Sequence, residues 1–234
     1  MQLPYFFEEA LATHPDVFEL SPETARHVVQ VLRMKENDEL LLSNGKGLEV
    51  HAKIIQSGKR NVQVEKKVSR TFSKDVHETA IAISLLKNES RFEWFLEKAT
   101  EIGINRIIPL LCKRTERRTM RVARMKNILT SAMLQSRQVF LPQLDEVTAL
   151  VDLSVEPQYK QKFIAHCIDN SDRQELKNLK NNDSSGIVLI GPEGDFDAEE
   201  IEFCLQSGFL PVSLGTTRLR TETAGIVAAV LLKF

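Results

Sequence analysis

The period of the apolar positions changes about a third of the way along this chain. Before residue 73, apolar and polar side chains alternate over short runs. Residues 39–43, 48–56 and 61–68 read as strands, joined by the turns Asn44-Gly45-Lys46-Gly47 and Ser57-Gly58-Lys59-Arg60. Ahead of them, Ser21-Pro22-Glu23 opens a short helix with a capping residue and a proline in its first turn. That helix carries Ala25, Val28, Val29 and Leu32 on one face. Strands of this length with tight hairpins predict a small barrel or curled sheet. Residues 70–77 are polar and contain no apolar strand, which places a domain boundary there and predicts domains 1–72 and 73–234.

Beyond the boundary, strands and helices alternate. Residues 79–86, 106–111, 163–168, 187–190 and 212–214 read as strands, and 187–190 runs apolar without alternation, as in a parallel sheet covered on both faces. Between them lies an amphipathic helix over 89–102 carrying Phe92, Phe95, Leu96, Ala99 and Ile102, stopped by Gly103. Residues 122–140 read mostly as helix, 169–185 as a polar excursion, and further helices start near Ala198 and Thr223. This order predicts an α/β domain.

Composition narrows the function classes. With 234 residues and a formal net charge of −1, the chain has no global basic field, though a local basic patch is compatible with it. Cys112, Cys167 and Cys204 are far apart and form no CxxC pair, which argues against a disulfide framework or a metal site and for a reducing cytoplasm. With Glu8 and Glu9 and no apolar core region, the N-terminal stretch is not expected to act as a signal peptide, and the longest apolar run, 226–232, is too short to span a membrane. The sequence has no GxGxxG after a strand, no GxxxxGK[ST] and no GxSxG, so the commonest phosphate cradles and the hydrolase elbow are absent.

Two stretches stand out chemically. IVLIGPEGDF (187–196) is a strand that stops at Gly191-Pro192-Glu193-Gly194, after which Asp197 can cap a helix with Glu199 and Glu200 in its first turn. LGTTRLRTETAG (214–225) repeats the plan: a strand end, a polar loop, then a helix start rich in small residues that admit a close approach. Ligands of open α/β sheets bind at such carboxyl strand ends. The expectation is that the two turns lie at neighbouring strand ends and close into one pocket. The basic run 113–126, KRTERRTMRVARMK, is either a solvated helix face or a phosphate-contacting patch. Lys87, Asn88 and Arg91 follow a strand and either reach a ligand or are solvated. His166 and Cys167 end a strand, as a buried pair or as part of a site. His27, Arg33, Lys46, Lys53, Lys59 and Arg60 give the front domain basic points.

Gly191-Pro192-Glu193-Gly194, followed by Leu214-Gly215 and Leu219-Arg220-Thr221-Glu222-Thr223-Ala224, resembles the RsmE family of SPOUT methyltransferases. The stretches His27…Val31-Leu32-Arg33-Met34, Gly45-Lys46-Gly47 and Glu97-Lys98-Ala99-Thr100-Glu101-Ile102-Gly103 extend the resemblance over the whole chain. It implies a PUA-like RNA-binding β-barrel followed by a SPOUT α/β domain with a deep trefoil knot. It also implies S-adenosylmethionine as cofactor, N3 of one uridine in 16S rRNA of the small ribosomal subunit as target, and a homodimer with shared sites. By this resemblance His166, Cys167, Leu189, Gly191, Glu193, Gly194, Leu214, Gly215, Leu219, Thr221 and Ala224 would hold the cofactor. Arg220 would stabilise the uracil anion, and Glu222 would accept a proton, orient the base or hold Arg220. Arg33, Lys46, Lys87, Arg114, Arg117, Arg118, Gln135 and Arg137 would contact RNA. Asp195 stands where many relatives have glycine, which a helix start accepting an acid would tolerate. The basic group after Ser136 comes one place early. Two rival readings are a non-catalytic RNA-binding assembly factor and a knotted methyltransferase for another site, such as a tRNA ribose 2′-hydroxyl.

Overall fold

The computed structural model describes residues 3–58, 61–168 and 173–234. The turn residues Lys59 and Arg60, and the start of the polar excursion at 169–172, lie outside the described residues. The chain divides into two compact units. One is Met1–Lys74 with Met133–Leu141; the other is Asp75–Ala132 with Pro142–Phe234.

In the first unit, β1 (Tyr5–Phe7), β2 (Val17–Glu19), β3 (Glu39–Ser43), β4 (Leu48–Ser57) and β5 (Val62–Thr71) form a five-stranded sheet in the order β1-β3-β4-β5-β2. Only the β1–β3 pair is parallel. Alternation puts Val50, Ala52 and Ile54 of β4, with Val62 and Val64 of β5, into a core shared with Phe6, Phe18, Leu40 and Leu42. Each Val, Leu, Ile or Phe side chain among these contributes about 1.5–3 kcal/mol by leaving water.

The predicted helix is short. α1 (Pro22–Arg26) is capped by Ser21 and passes into a π-helical turn at His27–Val31. A π turn inserts a residue and rotates the following face. Val28 therefore stays fully buried, whereas Leu32 turns outward at 44% exposure.

The segment 133–141 belongs to this first unit by β-type contacts that carry no local sequence signal. Leu141 N–H donates to Gly45 O (2.8 Å), Gly47 N–H donates to Val139 O (2.9 Å), and Lys46 bridges Phe140.

The second unit is built on a parallel sheet. Its strands are β6 (Thr79–Ser84), β7 (Arg106–Leu111), β8 (Gln143–Leu144), β9 (Thr148–Ala149), β10 (Gln161–Ala165), β11 (Gln174–Glu175), β12 (Gly186–Ile190) and β13 (Leu210–Ser213). The order is β11-β13-β10-β12-β6-β7-β8, with β9 also on β7, and every pairing is parallel. The helices are α2 (Glu89–Ile102), α3 (Val122–Gln135), α4 (Leu176–Leu179), α5 (Ala198–Gln206) and α6 (Thr221–Lys233).

One sheet face presents Ala80, Ala82, Ile108, Leu110, Ile164, Ile187 and Leu189 to a core closed by Tyr159, Phe196, Ile201 and Phe209. Elsewhere α6 packs on β6 and β12 and against α2. Gly225 explains how close α6 comes. A β-carbon there would lie 2.7 Å from the Phe95 ring and 2.9 Å from Ile83 Cδ1. What approaches this part of the small-residue helix is thus the protein's own core. Among the described residues, no helix is long and apolar enough to cross a membrane.

Candidate active site

The carboxyl ends of β10 and β12 and the loop entering α6 enclose a cavity of about 350 Å³. Ala165 and Cys167 come from β10 and its exit. Ile190 ends β12, and Gly191, Pro192, Glu193 and Asp195 follow it. Arg218, Leu219, Arg220, Thr221 and Ala224 form the remaining wall. The two singled-out stretches therefore line one cavity. Their strands are not neighbours, however: β10 pairs with both β12 and β13 and lies between them. Its exit supplies a third wall.

Several expected cofactor residues do not line this cavity. Leu189 is fully buried in the opposite core, because strand alternation turns it away and brings Ile190 to the site instead. Leu214, Gly215 and Gly194 are also absent from the lining. His166 is buried beside it, with neither ring nitrogen meeting a hydrogen-bond partner among the described residues. Burial holds its pKa below the usual histidine value, with the charge of Arg173 acting in the same direction and Asp195 opposing.

The loop after β12 is shaped by close contacts. Gly191 leaves room for Phe196, whose ring would sit 3.0 Å from a β-carbon at that position. Asp195 adopts a left-handed φ of 63°, which is why a glycine suits this place. Its carboxylate offsets the strain by accepting Cys167 N–H and Phe196 N–H, each at 2.8 Å. Helix α5 then starts as predicted, at a capping box: Glu200 N–H donates to Asp197 Oδ1 (2.7 Å) and Asp197 N–H donates to Glu200 Oε2 (2.9 Å).

Arg220 lines the cavity and is exposed. Glu222, the second residue of α6, is buried and does not line it. Its ion-pair neighbour is Arg91 of α2 (3.6 Å), not Arg220. Arg91 is one of three residues after β6, with Lys87 and Asn88, whose role the sequence leaves open. Nothing local in the sequence pairs it with a residue 131 positions away in the chain.

The basic run is largely engaged with acids of its own unit. Arg117 and Arg121 bond Glu89, Arg124 bonds Glu93, and Lys113 bonds Asp197 and Glu199. These contacts hold the Glu89 and Glu93 carboxyls below their usual pKa. Lys87 pairs with Glu116 at 2.8 Å, and Arg114 donates to Gly194 O at 2.6 Å. Arg118 is exposed. The other expected RNA residues, Arg33, Lys46, Gln135 and Arg137, are exposed on the first unit, where Arg137 also donates to Leu3 O (2.9 Å). All three cysteines are free thiols. Burial pushes those of Cys112 and Cys204 up to about 12, which suits packing and not nucleophilic chemistry.

The family model described as RNA methyltransferase domain matches residues 73–233, and that of the RNA methyltransferase PUA domain matches 20–67. The ribosomal RNA small subunit methyltransferase E of Rickettsia conorii is 27% identical over 229 residues, covering 95% of this chain and 91% of that protein. This chain belongs to the RsmE family of RNA methyltransferases. The RsmE-type fold extends to solved structures. A probable rRNA-methyltransferase from Porphyromonas gingivalis is 33% identical with a TM-score of 0.89, covering 97% of this chain and 95% of that one. A methyltransferase from Legionella pneumophila, in complex with the bound cofactor SAM, is 28% identical with a TM-score of 0.86, covering 99% and 97%.

Proposed function

We propose that this RsmE-family enzyme uses S-adenosylmethionine to methylate N3 of one uridine in the 16S rRNA of the small ribosomal subunit. The observation that carries this reading is the convergence of residues 190–193, Asp195, Cys167, residues 218–221 and Ala224 on one cavity. Its size is that of a small-ligand site. Its walls combine apolar Ala165, Ile190, Leu219 and Ala224 with exposed loop backbone, a lining that fits a nucleoside bearing a charged sulfur. Bound there, S-adenosylmethionine would supply an electrophilic methyl group.

The chain's own residues would do the rest. Ile190, Leu219 and Ala224 would flank the nucleoside, and the backbone of 191–195 would fix its polar edge. Uracil N3 must lose its proton to act as a nucleophile. Arg220, at the cavity wall, would stabilise the resulting anion, and Glu222, buried just behind that wall, would accept or orient the proton. Holding the reacting atoms in line would provide much of the rate enhancement.

The same reading includes a contiguous front domain (1–72) of barrel type and a methyltransferase domain (73–234) with a trefoil knot. It also includes a cytoplasmic homodimer whose subunits share each site. RNA would be met by the exposed charges Arg33, Lys46, Arg118 and Arg137, and by Gln135.

The test is mass spectrometry of 16S rRNA from cells lacking the gene and from cells complemented with it. Loss and restoration of a single N3-methyluridine is the expected result. An unchanged 16S rRNA, or a lost ribose 2′-O-methyl group, would overturn the reading.

A further inference from the structure

We propose that Arg114 is a positioning residue for the cofactor loop, and not an RNA contact. The proposal rests on reading the 350 Å³ cavity as the S-adenosylmethionine pocket.

Residues 112–115 leave the end of β7 as a tightly held strap. Thr115 is buried, and its hydroxyl accepts Cys112 N–H (2.8 Å) and lies 2.8 Å from Ser84 Oγ. Lys113 N–H donates to Glu200 Oε1 (2.7 Å), the same carboxylate that closes the α5 capping box. Lys113 Nζ reaches Asp197 Oδ2 at 2.9 Å and also bonds Glu199. The backbone on both sides of Arg114 is thus fixed before its side chain extends.

That side chain lies along the loop. A β-carbon at Gly194 would stand 3.2 Å from Arg114 Cδ and 3.4 Å from its Cβ, so the arginine stem covers the glycine. Its Nη1 donates to Gly194 O at 2.6 Å. The loop is tethered on either side of this point. Glu193 Oε1 accepts Lys87 N–H (3.1 Å), and Asp195 Oδ2 accepts Cys167 N–H (2.8 Å). Both of those outside donors are backbone groups. Arg114 is the outside donor of the three that acts through a side chain. Glu193 and Asp195, on either side of Gly194, line the cavity, so the loop held by Arg114 is a wall of the site.

The experiment is calorimetric titration of S-adenosylmethionine into the full-length wild type, Arg114→Ala, Arg114→Lys, Gly194→Ala and the Arg114→Ala/Gly194→Ala double variant. It is paired with steady-state kinetics and filter binding of 16S rRNA. Removing one charge-assisted hydrogen bond at an exposed site should weaken cofactor binding about fivefold. KM for the cofactor should rise with little change in kcat, RNA affinity should hold within twofold, and Arg114→Lys should restore part of the loss. Gly194→Ala should weaken binding similarly, and the double variant should be no worse than the poorer single one, since both act through one contact. Unchanged cofactor affinity in Arg114→Ala, or a loss confined to RNA affinity, overturns the proposal. Wild type that binds no S-adenosylmethionine overturns the pocket reading itself, a different outcome from a null effect of the variants.

Discussion

Glu222 Oε1 stands 3.6 Å from Arg91 Nε, while Glu222 Oε2 is buried without a hydrogen-bond partner among the described residues. A buried carboxylate oxygen left without a donor is unfavourable, and such groups concentrate where a ligand or proton supplies the missing partner. Under the proposed function, that partner would be the proton released by uracil N3, reaching Glu222 from the cavity that its neighbour Thr221 lines. Glu222→Gln, which keeps the shape and removes the charge, should lower kcat on the order of 100-fold. Affinity for S-adenosylmethionine should stay within twofold of wild type. Rapid-quench turnover and calorimetry on the same preparation separate the two; unaltered turnover would assign Glu222 a packing role.

Arg220, two residues earlier at the N-cap of α6, gives the companion prediction. It is exposed on the cavity wall, so truncation leaves no buried charge behind. Arg220→Ala should therefore fold normally and lose turnover by roughly 100- to 1,000-fold, the range for removing one donor aimed at developing charge. Cofactor affinity should change far less. Equal losses in both would move Arg220 from anion stabilisation to cofactor binding.

Gly225 tests the packing that supports this site. Alanine in place of glycine inside a helix ordinarily gains up to about 1 kcal/mol. Here the added methyl would meet the buried Phe95 ring at 2.7 Å and Ile83 at 2.9 Å. Overpacking costs about 1–3 kcal/mol, so the clash should win. Gly225→Ala should lower the urea midpoint of unfolding, and a raised midpoint would show that α6 can shift away from α2.

The strand–helix rhythm of the second unit was legible because fully buried parallel strands read as unbroken apolar runs. The α5 start was legible because Asp197 and Glu200 stand at capping-box spacing. What escaped reading was non-local. The place of β10 between β12 and β13 is a matter of strand order. The exchange of Leu189 for Ile190 at the cavity turns on a one-residue question of strand face. The choice between a solvated face and a phosphate-contacting patch for the basic run stays open in the sequence because its partners, Glu89 and Glu93, lie on another helix. Segment 133–141 carries no signal of its place in the first unit because backbone hydrogen bonds to Gly45 and Gly47, not a periodic pattern, tie it there.

His166 makes stability depend on pH. Burial depresses its pKa below the ordinary 6.5, so the unfolded chain binds the proton more readily than the folded one. Its contribution is then fully present above pH 6.5 and falls away as the pH drops through 6.5 toward the folded-state pKa. His166→Gln should flatten that acid-side decline in the free energy of unfolding, measured by urea titration from about pH 5 to 8. A wild-type decline that persists unchanged in the variant would place its origin in other groups.

Asp195 separates backbone strain from hydrogen bonding at the loop. Its φ of 63° suits glycine, and its carboxylate takes two backbone N–H groups at 2.8 Å, one of them at the cavity-lining Cys167. Asp195→Gly relieves the strain but frees both donors. Asp195→Ala frees the donors and keeps a left-handed conformation that costs a non-glycine residue about 1–2 kcal/mol. Asp195→Asn tolerates that conformation and retains one acceptor oxygen. Stability and S-adenosylmethionine affinity should therefore both rank wild type, Asn, Gly, Ala in descending order. If hydrogen bonding were idle and strain alone mattered, glycine would rank first. Differential scanning calorimetry with and without cofactor distinguishes these orders, and glycine at the top would remove Asp195 from the set of residues that shape the pocket.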